Sequence, residues 1–460
     1  MRMNKNREIM IGLEVHVQLN TVSKLFCACA TKAGEPNSAV CPVCLGHPGS
    51  KPVLNKKALE FGVKLALALG CELSRKILFS RKTYFYPDMS KNYQITQYEI
   101  PLGSNGHITL DSGRVINIKR IHLEEDPAAL VHEQGNVLVD YNRSGNPLCE
   151  IVTNPELDSP EEAREFMNKL VNILSYLQIF ENDSIIKADV NVSIKEKNFI
   201  RVEIKNVTGF KEIERALYYE VERQKSQDVM QETRGWNPDE GITYSMRSKE
   251  TEDDYGYIIE PDLPFFTFEQ SFIDEVKKQI PELPQSRAQR YVRDYKIDDT
   301  DAKIIAYDLS ITQIFESIAK KVNPVLTARW IRRELLRVLN LENKPLNETP
   351  ITADELIELF ALLENKSITN RIGQQIIEKL VKEKFSPKEY VEQQGLGKVS
   401  DESELSIYCE EVISNNPQAV ADFKSGVEKA LKFLIGQVMA KTKGKGDPVL
   451  IKKLLEEELK

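Results

Sequence analysis

The stretch Ile9–Leu19, IMIGLEVHVQL, decides the fold class. Leu13, Val15, Val17 and Leu19 alternate strictly with Gly12, Glu14, His16 and Gln18. Side chains on a strand alternate faces, so the apolar set packs a core and the polar set lines an opposite surface. At a rise of roughly 3.3 Å per residue, Glu14 and His16 stand about 6.6 Å apart along one face. That spacing lets a carboxylate and an imidazole reach one divalent cation. It also fits a half-exposed edge strand carrying two ordinary polar residues, and this stretch alone leaves both readings open.

The chain around it is long enough to bury a large core. Its 460 residues imply two to four domains. Apolar residues make up 41% and charged residues 29%, the balance of a soluble globular protein. No apolar run approaches a membrane span, and MRMNKNREIM carries no signal-like apolar segment, which predicts a cytosolic protein. The net charge of −8 argues against wholesale coating of nucleic acid and leaves room for a local basic patch.

Seven cysteines in so long a chain do not form a disulfide scaffold. Four of them fall in two close pairs, Cys27-Ala28-Cys29 and Cys41-Pro42-Val43-Cys44. Two short loops offering two thiolates each suit a tetrahedral Zn²⁺. No residue nearby reads as a base, so the zinc is expected to be structural and to clamp the turn-rich loop Cys27–Gly49. Cys71, Cys149 and Cys409 are isolated and read as core residues.

Further strands repeat the pattern of acid opposite apolar side chains. Arg120 to Asp126, RIHLEED, alternates and is ended by Pro127, with Glu124 and Glu125 on opposite faces. Glu150 sits alone in the apolar run PLCEIV, where it needs a cation, either a metal or Arg143. Ala188, Val190, Val192 and Ile194 alternate with Asp189, Asn191 and Ser193; after a turn, Val202 and Ile204 alternate with Arg201, Glu203 and Lys205. A hairpin there collects Asp189, Asn191, Arg201, Glu203 and Lys205 on its polar face. Between Arg81 and Pro101, the aromatics Tyr84, Phe85, Tyr86 and Tyr93 are mixed with Arg81, Lys82 and Lys91, a composition suited to stacking on a base, to binding phosphate, or to a plain surface hairpin.

Carboxylates gathered with a histidine, and no Gly-rich phosphate loop, can build an oxygen-rich Mg²⁺ site that handles ATP. The chain has no G-x-x-x-x-G-K-[ST] and no G-x-S-x-G, nor a supported Ser/Lys or Cys/His nucleophile cluster. Ammonia or acyl chemistry therefore requires a partner.

The fold expected is α+β, with an antiparallel, cradle-like sheet over residues 1–292, a helical domain over 293–400 and a small helical tail over 401–460. Ser159-Pro160-Glu161-Glu162 starts a core helix, and helical patterns replace strand patterns beyond about residue 290. Lys424 to Lys453 holds eight lysines against two acids, and the run Lys441-Thr442-Lys443-Gly444-Lys445-Gly446 joins two helices. A basic loop of this kind suits contact with a phosphate backbone, and equally a solvated surface.

IGLEVHVQL, CPVCLGHPG, FYPDMSKNYQITQ, HLEEDPAAL, VDYNRSGNPLCEIV, DVNVSI and VEIKNVTGF, in this order, resemble the GatB/GatE family, the B subunits of the Glu-tRNA(Gln)/Asp-tRNA(Asn) amidotransferases. The resemblance implies a cradle related to glutamine-synthetase-type architecture. It implies an enzyme that uses ATP to phosphorylate the side-chain carboxylate of Glu or Asp mischarged on tRNA. Ammonia from glutamine, hydrolysed by a separate amidase (glutaminase) subunit, then gives Gln-tRNA or Asn-tRNA. A small third subunit holds the other two together in a heterotrimer. The family's metal positions correspond to Glu14, His16, Glu125 and Glu150, with Glu124 held in reserve because strand parity favours it. Asp189 and Glu203 are candidates on the ATP side, and Lys82, Lys91 and Lys205 are candidates for phosphate. The four cysteines match the zinc-bearing members. The tail, through Lys441, Lys443 and Lys445, is expected to grip the outer body of the tRNA.

Overall fold

The computed structural model describes residues 7–133, 135–180, 186–248, 255–398, 402–442 and 444–459. By contacts the chain divides into two units, Met1–Leu283 and Pro284–Lys460. The boundary expected at 292/293 falls inside the helix Pro284–Tyr295, whose Ala288 and Tyr291 pack into the second unit's core.

The first unit begins with β1 (Ile9–Gln18) and α1 (Lys56–Ala68), the latter capped by the Asn55 side chain, which accepts from the Lys57 and Ala58 amides. Then come β2 (Glu72–Leu73), β3 (Lys76–Ile77), β4 (Ser80–Thr83), β5 (Tyr93–Thr96), β6 (Gly103–Thr109) and β7 (Val115–Glu125). A ribbon of β8 (Ala129–Glu133) and β9 (Asn136–Asp140) leads to β10 (Pro147–Thr153). Next is α2 (Pro160–Leu177), started by Ser159, whose hydroxyl accepts from the Glu162 amide. Then follow β11 (Lys187–Ile194), β12 (Val202–Thr208), α3 (Phe210–Ser226), β13 (Glu232–Asn237) and β14 (Ile242–Ser248).

Nine strands form one sheet in the order β14-β13-β12-β11-β1-β10-β7-β6-β2. Strand β1 is not an edge: β10 and β11 flank it on either side, both antiparallel. Its Ile11, Leu13, Val15 and Val17 are fully buried, while Glu14 and His16 are half-buried. The apolar faces of α1, α2 and α3, including Val63, Phe166, Leu170, Ile213 and Leu217, join the same core. Helices thus cover one face of the sheet, and the polar rows of β1, β7, β10, β11 and β12 stand on the other.

The sheet is mixed rather than purely antiparallel. β12 and β13 pair in parallel because α3 lies between them and carries the chain back before the next strand begins. A two-residue turn cannot make that return, whereas a helix can.

The second unit is all helix among its described residues and holds two apolar clusters, one from Ala288 to Val391 and one from Leu405 to Leu459. Asp308 caps Leu309–Ile318, and Thr352 with Glu355 forms a capping box on Ala353–Glu364. A π-helical turn at Ile331–Leu335 lies between the helices Pro324–Trp330 and Leu336–Leu341. Further helices run over Asn370–Leu380 and Pro387–Gln393.

Candidate functional site

Strand register assembles the acidic face. His16 lies opposite Glu150, Glu150 opposite His122, and Glu14 opposite Asp189. Two groups of potential ligands result. Side-chain donor atoms of His16, Glu124 and Glu150 lie within 4.8 Å of one another, as do those of Glu14, Asp189 and Glu203.

The first group is braced on every side. His16 Nδ1 is 3.3 Å from Glu124 Oε1. His122 Nε2 is 3.2 Å from Glu150 Oε2 and 3.6 Å from Glu124 Oε2. The Thr96 hydroxyl donates to Glu124 at 3.2 Å. Burial disfavours charge on His16, but the bond to Glu124 and the charges of Glu150, Glu124 and Asp189 outweigh it and push it up to about 10. His122 is raised to about 9 against the same burial, chiefly by the Glu150 charge. Glu150 is held down at about 2: burial opposes its charge, and the adjacent His122 more than compensates. Glu124 is lowered in the same way by His122 and His16.

The second group has less compensation. Lys205 Nζ is 2.5 Å from Asp189 Oδ2 and 3.0 Å from Glu203 Oε1, and the Asn206 amide donates to Asp189. Glu14 accepts from Asn191 Nδ2 at 2.9 Å. Burial and the charges of Glu150, Glu203 and Asp189 raise its carboxyl above the usual carboxylate range. Together the two groups set five carboxylates against His16, His122 and Lys205, so the face carries an excess of negative charge. Oxygen-rich clusters with one imidazole fit a hard divalent cation such as Mg²⁺.

The structure gathers Glu14, His16, Glu150, Asp189, Glu203 and Lys205 as expected by parity, but it separates Glu124 from Glu125. Glu124 faces His16. Glu125, on the opposite parity at the strand's end, takes both carboxylate oxygens to Lys91 Nζ, at 2.6 and 2.5 Å, and accepts from the Ile95 amide. Lys91 is thereby committed to Glu125 inside the protein. Lys82 lies over the Tyr255 ring at 4.5 Å. Arg143, a possible cation for Glu150, instead pairs with Asp126 at 3.5 Å and donates to the Pro127 and Ala128 carbonyls. His122 takes that place. It shares strand parity with Glu124 in RIHLEED, a signal that was present in the sequence.

The four cysteines also meet. Sγ atoms of Cys27, Cys29, Cys41 and Cys44 lie within 4.8 Å of one another. Zinc–sulfur bonds of about 2.3 Å place tetrahedral sulfurs about 3.8 Å apart, and Cys41 and Cys44 already stand at 3.9 Å. The first pair sits in a loop closed by the Ser23–Ala30 bridge and by the Lys24 amide donating to the Cys29 carbonyl. In the second, the Cys41 amide donates to Cys44 Sγ at 3.1 Å. A hydrogen bond with Cys27 draws the Cys44 thiol down to about 4, and the nearby Lys24 charge adds to this.

In the tail, Lys441 pairs with Glu411, and Lys453 with Glu402 at 3.2 Å. Lys443 lies outside the described residues. Lys445 is half-buried between the buried Gly444 and Gly446, and the Gly444 carbonyl accepts from the Thr369 hydroxyl. The basic loop is thus seated on the helices in its described part. Across residues 401–460 eleven acids outnumber nine lysines, so the basic character is local. The helix Glu428–Lys441 leaves Lys429 and Lys432 exposed.

Two family models match the chain: GatB/GatE catalytic domain over residues 9–274 and GatB domain over residues 313–459. The chain belongs to the GatB/GatE family. Its relatives are named as the B subunit of an aspartyl/glutamyl-tRNA(Asn/Gln) amidotransferase. The relative from Caldanaerobacter subterraneus subsp. tengcongensis is 43% identical over 98% of this chain and 99% of its own length. Those from Carboxydothermus hydrogenoformans and Thermotoga maritima are each 42% identical, over 98% of this chain and 98% and 99% of their own lengths. Among the described residues no helix is long and apolar enough to cross a membrane.

Proposed function

We propose that this chain activates the side-chain carboxylate of Glu or Asp mischarged on tRNA(Gln) or tRNA(Asn), using ATP, so that ammonia can replace the oxygen. It is then the kinase and transamidase component of a carbon–nitrogen ligase. The observation that carries the reading is the convergence of five carboxylates and two histidines from separate strands on one sheet face. The relatives' name, that of a tRNA-dependent amidotransferase, supplies the substrate class.

A carboxylate resists ammonia because oxide is a poor leaving group. Attack of the substrate carboxylate on the γ-phosphorus of ATP releases ADP and gives an acyl phosphate. Ammonia then adds to the acyl carbon, phosphate departs, and one ammonia proton is lost to solvent. His16, Glu124 and Glu150, or Glu14, Asp189 and Glu203, would hold Mg²⁺, which would supply charge neutralisation for the transferred phosphoryl group. His122 keeps Glu124 and Glu150 turned to the face, and Lys205 offers an ammonium for the phosphate oxygens. Glu125 and Lys91 brace each other, and Lys82 stands on the aromatic side of the cradle. The four cysteines hold a structural Zn²⁺. Kinship of the cradle with glutamine-synthetase-type architecture belongs to the same proposal.

The chain shows no glutaminase nucleophile cluster in its sequence, which supports a separate amidase partner, with a small third protein completing the complex. The helical tail, through Lys441, Lys443 and Lys445, contacts the tRNA backbone. The test combines the chain with its amidase and small partners, mischarged tRNA, glutamine and ATP. Amide formation that requires ATP and disappears in Glu14→Gln and His16→Ala is expected, with tRNA affinity retained. Amidation that survives both changes would overturn the reading.

A further inference from the structure

Lys24 is the one fully buried lysine among the described residues. A lysine is rarely buried unless its charge is met. Among the described residues no carboxylate pairs with it. Its Nζ donates to the Tyr141 carbonyl at 3.2 Å and stands 3.7 Å from Cys44 Sγ. Its backbone is fastened to the same loop: its amide donates to the Cys29 carbonyl, and its carbonyl accepts from Asn55 Nδ2. The side chain is therefore delivered to the cysteine cluster by the turn that presents Cys27 and Cys29.

Four thiolates around one Zn²⁺ leave a formal charge of −2 in a partly buried place. Such a charge is costly to bury without an opposite one nearby. We propose that Lys24 is the buried counter-cation of the tetrathiolate zinc site, offsetting that charge through Cys44 and so setting how tightly the ion is held. This rests on the zinc reading given above. The location also ties the zinc loop to the sheet. A Cβ built on Gly145, whose φ is +85°, would lie 3.6 Å from each of Cys44 Cβ, Lys24 Cδ and Glu125 Oε1. The Cys44 carbonyl accepts from Ser90 at 2.8 Å. Gly145 thus packs where Cys44, the Lys24 stem and Glu125 converge.

Lys24→Met keeps the stem and removes the charge. Residues that support metal ligands typically contribute 10- to 100-fold in affinity. The purified full chain is titrated with a chromogenic zinc chelator, and equilibrium zinc loss is read for wild type, Lys24→Met and Lys24→Arg. Lys24→Met is expected to bind zinc about 10- to 100-fold more weakly. Its melting temperature after zinc removal should equal or exceed that of zinc-free wild type, because its packing is kept and a buried charge is removed. Zinc affinity within about threefold of wild type in Lys24→Met would overturn the proposal. So would equal destabilisation of the zinc-free and zinc-loaded forms, which marks a packing residue only. If Lys24→Met does not fold, Lys24→Arg decides: zinc affinity within about threefold of wild type supports the counter-cation, and a tenfold loss in a folded protein contradicts it. Wild type that binds no zinc at all would sink the zinc reading itself, an outcome distinct from any behaviour of the variants.

Discussion

Two kinds of side-chain cluster in the first unit could hold a cation, and they are built differently. The cysteine cluster draws its ligands from two loops within eighteen residues of sequence, Cys27 to Cys44. The acidic face draws its ligands from five strands between Glu14 and Lys205. Loops can fold around an ion and are pinned by it. Strands hold their side chains through the hydrogen-bond ladder whether or not an ion is there. The first arrangement suits a metal that stabilises, and the second suits one that must meet and release a substrate.

That contrast sets the expected effects. The largest concerns the face. Removing His16 or Glu14 takes away stabilisation of a transferred phosphoryl group worth several kcal/mol, so amidation should fall by roughly a thousandfold or more. Melting temperature should hold or rise slightly in Glu14→Gln, which relieves repulsion from Glu150, Glu203 and Asp189, and should fall in His16→Ala, which strands the buried Glu124 carboxylate. Next is the pair Glu124 and Glu125, which separates the two elements of the account. Glu124→Gln should reduce the ATP-dependent rate by about a hundredfold while the fold persists. Glu125→Gln should instead destabilise the first unit by about 3 kcal/mol, because it strands the buried Lys91 ammonium. Denaturant unfolding read beside turnover distinguishes them, and the reverse pattern would return Glu125 to the face.

A smaller effect is expected at the cysteines. Cys41→Ser with Cys44→Ser should lose close to one equivalent of bound zinc and lower the first unit's melting temperature, leaving the ATP requirement of amidation intact. Loss of the ATP requirement would show that the zinc is more than a clamp. The smallest effect belongs to the tail. Lys445→Ala should raise the KM for tRNA a fewfold and reduce the salt slope of tRNA binding by about one, with kcat unchanged.

The same contrast explains what the sequence alone could reveal. Cysteine ligands are close together and chemically distinct, so their spacing announced the cluster. β1 was legible by its alternation, and its central position was not, because nothing in IMIGLEVHVQL specifies which strands pair with it. Parity placed Glu124 opposite Glu125 and favoured Glu124, and the family pattern pointed to Glu125; cross-strand register is what turns Glu124 toward His16. His122 shares parity with Glu124 in RIHLEED, which places it on the acidic face, but parity does not name its partner. That partner, Glu150, emerges only when β10 is laid against β7. The parallel joint of β12 and β13 was hidden for a like reason, since nothing in the sequence specifies the return path that α3 takes. Nothing in the sequence marks Lys24 as buried beside Cys44.

The central claim is that the polar face of β1 holds a divalent cation. It is tested by titrating the purified chain with Mn²⁺ in place of Mg²⁺ and counting bound ions by electron paramagnetic resonance. Wild type should bind Mn²⁺ in competition with Mg²⁺. The double variant His16→Ala, Glu150→Gln should lose at least one of those ions while its bound zinc stays in place. Unchanged Mn²⁺ binding in that variant, with the fold intact, would contradict the account.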